Sequence, residues 1–417
     1  MKMKYLLAAC TAFFLASCSN EDEPQQPKHG DIVGLNIKDA KYIYTSSGNT
    51  RSSSAEYRQI KKDGRDMRLS WIDINGDTVV IDNTPTIWNI NKKYLMINTG
   101  LPINYKPGPD GIISQESGGR SYLIDKETEA MYDLGMGLNG KNAITDNKGN
   151  IYVVDLSIGG ALFKIHTQDM ANLKLELYAR ASVPRKTSFV VNNKGLCFYD
   201  YRYIRPSYGT QQFIISSFIP QVEYGNAFVS HDNEDIYITA VSSSIEERKY
   251  SLIVSKLTED KEIQCEVMAK LSFDGIVESR IPQVKWNEHR GTMLIRFNGT
   301  YEYLVAANTL TEIPVDLSGF FAADYSTYVT TNALYAQKSV NKLDIISLED
   351  YSTKTLDLSG KGIDFRSIYT MDGSDLLYFA GFQYSSSQSV IGTIDINGNV
   401  EISKSTPNPI TNIIQIN

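Results

Sequence analysis

The sequence predicts an all-β protein, a β-propeller of four-stranded blades, and three observations predict it. Tyrosine, a strand former, and glycine, a turn former, are plentiful at 26 and 29 among 417 residues, while stretches of helix formers are scarce. Short apolar runs with period-two alternation recur throughout, divided by turn dipeptides such as Asn-Gly, Asp-Gly and Lys-Gly. These runs repeat in units of about 45 residues with four strands each, the size of a propeller blade.

The first unit reads as three strands, at residues 41–46, 55–62 and 67–74. Its innermost strand comes either from C-terminal residues 410–416, which would close the ring by joining the termini, or from residues 31–37. The inner strands of the later units begin near Thr86, Asn142, Thr187, Asn226, Pro282, Gly319 and Asp364. Third strands closing in a polar turn align at Tyr122-Leu-Ile-Asp-Lys-Glu-Thr, Leu162-Phe-Lys-Ile-His, Ile253-Val-Ser-Lys-Leu, Leu343-Asp-Ile-Ile-Ser and Ile391-Gly-Thr-Ile-Asp. The reading is eight blades, with seven as the alternative. No linker divides residues 31–417, so they form one domain.

The chain opens with Lys2 and Lys4, an apolar run over residues 5–14, and Leu15-Ala16-Ser17-Cys18. A charged start, a short apolar stretch and small residues describe a secretory signal over residues 1–17, too short to span a bilayer. Cys18 after Leu-Ala-Ser resembles the lipobox of bacterial lipoproteins, which implies lipidation at Cys18. Leu7-Ala8-Ala9-Cys10 fits the same pattern but leaves little apolar chain before the cut, and a plain secreted protein is the other alternative. Residues 18–30 are polar and Pro-containing, a tether with no means of packing. The run Ser19-Asn20-Glu21-Asp22-Glu23 resembles the export signal of Bacteroidota lipoproteins that reach the outer face of the outer membrane. Together, residues 1–23 and the repeat resemble a Bacteroidota-type surface lipoprotein carrying a propeller. That resemblance implies outer-membrane anchoring and a role as an accessory to nutrient uptake.

Charge and motifs exclude several chemistries. The net charge is -7, and removing the signal leaves 39 basic against 48 acidic side chains, so no basic stripe for nucleic acid is expected. Gly135-Met-Gly-Leu-Asn-Gly140 matches a dinucleotide fingerprint but runs into a strand pattern, where that chemistry needs a helix N-terminus. Asp73-Ile-Asn-Gly-Asp77 and Asp395-Ile-Asn-Gly-Asn399 look like calcium-loop fragments, yet their glycine falls fourth and strands flank them, so hairpin turns are expected. His29, His166, His231 and His289 lie in separate elements without the spacing of a metal site. No metal and no cofactor is expected. Cys197 and Cys265 fall in different blades and are expected as free, buried thiols.

In a propeller, the second-to-third-strand loops and the inter-blade loops share one face. On the strand assignment above, long second-to-third connections occur at residues 46–54, 100–119, 202–211, 242–248 and 384–389, and a built surface is expected there. Arg51, Arg120, Lys141, Arg185, Lys186, Arg202, Arg205, Arg280 and Lys361 fall on that face, while the opposite turns are mainly acidic. Arginine and tyrosine are the usual anchors of binding surfaces. Tyr105, Arg120, Tyr203, Arg205, Tyr208 and Tyr384 are therefore the expected ligand-binding residues, with arginine as clamp and tyrosine as stacking surface. The functional expectation is a non-enzymatic binding protein that captures a small anionic or aromatic ligand, such as a siderophore-like chelate or a charged glycan fragment, for an outer-membrane transporter. A protein–protein scaffold is the alternative. A propeller lyase or glycosidase ranks below both, because no convergent His or carboxylate motif is present.

Overall fold

The structure is a computed structural model. It describes residues 31–46, 56–72, 86–98, 104–107, 113–116, 121–155, 160–180, 189–230, 232–244, 249–275, 281–287, 290–314, 317–321, 326–371 and 373–416. The signal and tether readings, including Cys18, lie outside them, as do Arg120, His29, His231, His289 and the turn at 73–77.

Eight antiparallel sheets follow one another around the ring, seven of them four-stranded and each of those seven meandering from an inner to an outer strand. The protein is an eight-bladed β-propeller. Its inner strands are Thr86–Asn89, Leu138–Thr145, Phe189–Val191, Gly225–Val229, Gln283–Asn287, Ser326–Val329 and Ile363–Thr370 in blades 2 to 8. Six of these agree with the sequence reading to within a few residues. In blade 7 the strand starts at Ser326 rather than near Gly319. Residues Ser318–Phe321 instead form one helical turn that buries Phe320 and Phe321 between blades 6 and 7.

Ring closure falls to the C-terminus. Asn412–Gln415 pairs with Ala40–Ser46 as the innermost strand of blade 1, outside which lie Glu56–Lys61 and Asp66–Ile72. The N-terminal segment Asp31–Val33 takes the other edge of the same blade, antiparallel to its outer strand with Asp31 opposite Ile72. The first blade is thus five-stranded, and residues 31–37 are not its innermost strand. Closure is fastened by side chains. The Asp66 carboxylate accepts from Tyr44 at 2.7 Å, Thr406 at 2.6 Å, Asn408 at 3.0 Å and Arg58 at 3.0 Å, joining blade 1 to the last strand of blade 8 and the chain beyond it. Asn412 also accepts the Ile87 backbone N–H of blade 2.

The apolar core follows the ring. Eight buried clusters occur among the described residues, one at each interface between successive blades, including the closing interface. Blade-to-blade packing leaves tyrosine well placed: Tyr44, Tyr303 and Tyr335 are fully buried, and Phe228 stacks on Trp286 of the next blade at 5.0 Å. Most of the tyrosine excess is therefore structural.

Small residues mark the tightest approaches. A Cβ on Gly392 would lie 2.3 Å from the Glu401 carbonyl and 2.9 Å from Phe379. Of the dinucleotide-like glycines, Gly140 lies within an inner strand, where a Cβ would meet Ile90 and Trp88 of blade 2 at 2.9 and 3.0 Å, whereas Gly135 has positive φ and open space around it. Asp395 closes a hairpin turn by accepting the backbone and side-chain nitrogens of Asn399, both at 2.8 Å, as the sequence predicts.

Candidate functional site

Strand direction sorts the candidate residues by face. Inner strands run from the inter-blade loops toward the first-to-second-strand turns, so the inter-blade and second-to-third connections lie at one end of the ring, called here the upper face. Third-to-fourth turns lie at the lower face.

Blade 4 is the least regular, and it changes the predicted site most. Its strands are short: Cys197–Tyr199, Tyr203–Arg205 and Phe213–Ile214 follow the inner one. The second-to-third connection is therefore only residues 200–202, and residues 206–212 belong to the lower face. Tyr208 sits there, its hydroxyl donating to the Lys261 carbonyl at 3.2 Å in the lower turn of blade 5. Tyr208 is 52% exposed but does not share a face with Tyr384. This corrects the reading of 202–211 as one upper loop.

Arg205, expected as a ligand clamp, is packed between blades. It is 8% exposed, its guanidinium lies 3.6 Å from the Tyr178 ring centroid of blade 3, and it reaches Glu176 at 3.7 Å. Glu176 also holds His166 at 2.8 Å. Arg205 thus joins blades 3 and 4 by a desolvated cation–π contact, a bond worth about 2 kcal/mol. Burial pushes the hydroxyl pKa of Tyr178 up, Cys197 adds to this and the neighbouring Arg205 opposes it.

The upper face of blade 4 carries a different group that the predicted set touched only through Tyr203. Asp200 and Tyr201 both have positive φ, 52° and 60°, closing the turn between Tyr199 and Arg202. Turns of this hand suit the twist of a hairpin but normally take Asn-Gly, so a tyrosine there is strained, and such strain is a pointer to function. The turn sets the Arg202 guanidinium 4.6 Å from the Tyr203 ring and 5.8 Å from the Tyr224 ring. Tyr203 continues into Tyr199 at 5.6 Å and Phe189 at 5.8 Å, an aromatic ladder from outer loop to inner strand. Arg202 is half-buried, and among the described residues its guanidinium N–H groups meet no acceptor. Ring faces hold the cation through its charge and leave its N–H donors available to a ligand.

The remaining upper-face predictions divide. Tyr105 lies in a strand, Asn104–Pro107, that pairs with Ile113–Glu116, so the connection at 100–119 contains a hairpin. Tyr384 opens the second-to-third turn of blade 8, which spans only residues 384–387 and is not a long loop. Blades 4 and 8 are opposite one another in an eight-membered ring, so Tyr203 and Tyr384 do not form one compact pocket. The connection expected at 242–248 is instead a hairpin continuing upward. Its strands Ile236–Ser244 and Lys249–Glu259 are 9 and 11 residues long, where the inner strand of the same blade has 5. Four residues of overhang raise it about 13 Å above its inner strand.

Among the described residues no group of three or more His, Cys, Asp or Glu side chains has metal-site geometry, and no helix is long and apolar enough to cross a membrane. Cys197 and Cys265 are free. Cys197 is buried as expected, whereas Cys265 is only half-buried. Burial pushes the Cys265 thiol up to about 11.

No family model and no curated protein matches the chain. Solved structures similar to it include the dihydro-heme d1 dehydrogenase NirN in complex with DHE, at TM-score 0.37 and 11% identity over 71% of this chain and 73% of that one. An oligogalacturonate lyase in complex with manganese is similar at TM-score 0.34 and 11% identity, over 87% of this chain and 85% of that one. The propeller assignment rests on the sheet order and the closed ring of interfaces.

Proposed function

We propose that the protein is a lipid-anchored, non-enzymatic binding protein of the outer membrane, whose upper face captures a small anionic or aromatic ligand for an uptake system. The observation that carries this reading is Arg202, held between the rings of Tyr203 and Tyr224 with its N–H donors unused by the described protein. A planar anion meets such a guanidinium edge-on in charge-assisted hydrogen bonds, and the flanking rings offer stacking to a conjugated ligand. A siderophore-like chelate presents both groups, and a charged glycan fragment presents the anion. Lipidation at Cys18 and the outer-membrane location rest on the lipobox and acidic run in the sequence.

A thermal-shift screen against a ferric catecholate chelate, haem and a uronic-acid oligosaccharide tests the reading. Binding to the native state raises stability as RT ln(1 + [L]/Kd), so a saturable shift is expected for at least one of them. Its loss in Arg202→Ala, with the unliganded melting temperature unchanged, places the ligand at blade 4. A flat response across the panel overturns capture. The projecting hairpin of blade 5 on the same face favours the second reading, a scaffold for another protein, and a stable complex with an outer-membrane partner is then expected.

A further inference from the structure

The blade 8 side of the channel mouth carries a second cluster with a different chemistry. Tyr384 is 56% exposed, one of two described tyrosines that leave most of a ring open to solvent. Its ring is nevertheless fixed. The hydroxyl donates to Asp364 Oδ2 at 2.7 Å, the backbone N–H donates to Gly362 O at 2.9 Å, and Phe382 packs edge-to-face at 5.2 Å. Asp364 lies in the inner strand Ile363–Thr370, which bulges between Phe365 and Ser367. The extra residue is Arg366, and bulges re-aim the side chain they carry. Arg366 is exposed and close enough to oppose, by its charge, the rise in the Tyr384 pKa that the Asp364 hydrogen bond causes. Among the described residues, Asp364 Oδ1 has no hydrogen-bond partner and Arg366 has no ion-pair partner.

A fixed, open ring beside one free carboxylate oxygen and one free guanidinium suits a ligand with an apolar flank and several hydroxyls. We propose that Tyr384, Asp364 and Arg366 bind a neutral pyranose sugar. The C–H face of the ring stacks on Tyr384, one hydroxyl donates to Asp364 Oδ1, and a neighbouring oxygen accepts from Arg366. The carboxylate decides between classes: an anion placed on Tyr384 would face the Asp364 charge, whereas a hydroxyl gains a charge-assisted bond there. A sugar hydroxyl supplies both the donor and the acceptor that this pair requires, and the exposed ring supplies the stacking surface for its C–H face. The proposal is independent of the Arg202 site, which lies on the opposite blade.

The test is titration of the full chain with hexasaccharides of glucose, galactose and mannose, followed by saturation-transfer NMR. At least one is expected to bind saturably at millimolar concentration, with transfer strongest at its ring C–H protons. Tyr384→Ala is expected to weaken that binding about tenfold or more, the loss of one aromatic contact. Tyr384→Phe keeps the ring and should retain most of the affinity. Asp364→Asn should weaken binding while Arg202→Ala leaves it unchanged. Absence of saturable binding to all three, or binding indifferent to Tyr384→Ala in a variant that melts normally, overturns the proposal. Preference for a uronic-acid hexamer over the neutral ones, lost in Arg366→Ala, overturns it in favour of anion binding.

Discussion

Replacing Asp66 by alanine tests how the ring is held shut. The carboxylate is 16% exposed and accepts four hydrogen bonds, from Tyr44 and Arg58 of its own blade and from Thr406 and Asn408 of the C-terminal chain. Hydrogen bonds to a charged group contribute about 1.5–3 kcal/mol each when counted singly. They share one acceptor and are not additive, so a value near that for breaking one buried ion pair, about 3–5 kcal/mol, is the better guide. Asp66→Ala is expected to cost about 4 kcal/mol in urea unfolding followed by circular dichroism. Adding Thr406→Val should cost little more, since its partner is already gone. A loss below about 1 kcal/mol, or full additivity of the two changes, would refute the hub. Acid provides an independent check. Burial raises the Asp66 pKa, but the hydrogen bonds from Thr406, Tyr44, Asn408 and Arg58 outweigh it, and the folded value lies below the ordinary one. Its stabilisation is therefore full above about pH 4 and is lost as pH falls below that through the folded pKa. Asp66→Asn should flatten this part of the acid-unfolding curve.

Other changes follow from the same contacts. Arg205→Ala should lower stability by about 2 kcal/mol through loss of its stacking on Tyr178, read as a fall in melting temperature. Tyr201→Gly relieves a left-handed backbone and should raise stability by up to about 1 kcal/mol in the same assay. Gly392→Ala forces a Cβ against the Glu401 carbonyl and should cost about 1–3 kcal/mol in urea unfolding. At pH 8 both thiols should resist a disulfide reagent in the native state and react on unfolding, because burial raises Cys197 far above its usual value and Cys265 to about 11.

The architecture was legible because each blade repeats one hydrophobic pattern. Most turns carry their own signal: Asp146 and Asn192 each accept backbone N–H groups two and four residues on, closing Asp-x-x-Gly and Asn-x-x-Gly turns that mark first-to-second strands. The C-terminal strand was readable from its apolar alternation, and its pairing with Ala40–Ser46 decides between the two closures that alternation allowed. Blade 4 hid its turn because Tyr199-Asp200-Tyr201-Arg202-Tyr203 lacks glycine or asparagine, while Pro206 and Gly209 downstream supply the usual punctuation. That punctuation places the expected break too late, beyond the three-residue strand that ends in Arg205. In blade 8 the turn is likewise shorter than the sequence suggests, four residues long. Arg202 was seen as part of a basic rim, but its place between two rings depends on Tyr224 from the next inter-blade loop. Arg366 depended on a bulge that leaves no mark in the alternation.

Isothermal titration of the ligand identified by thermal shift, into the wild-type protein and the Arg202→Ala and Arg205→Ala variants, tests the capture site most directly. Binding abolished or weakened at least about tenfold in Arg202→Ala, and retained in Arg205→Ala despite its lower melting temperature, is the expected result. Binding retained in Arg202→Ala and lost in Arg205→Ala would contradict it and move the site to the lower face.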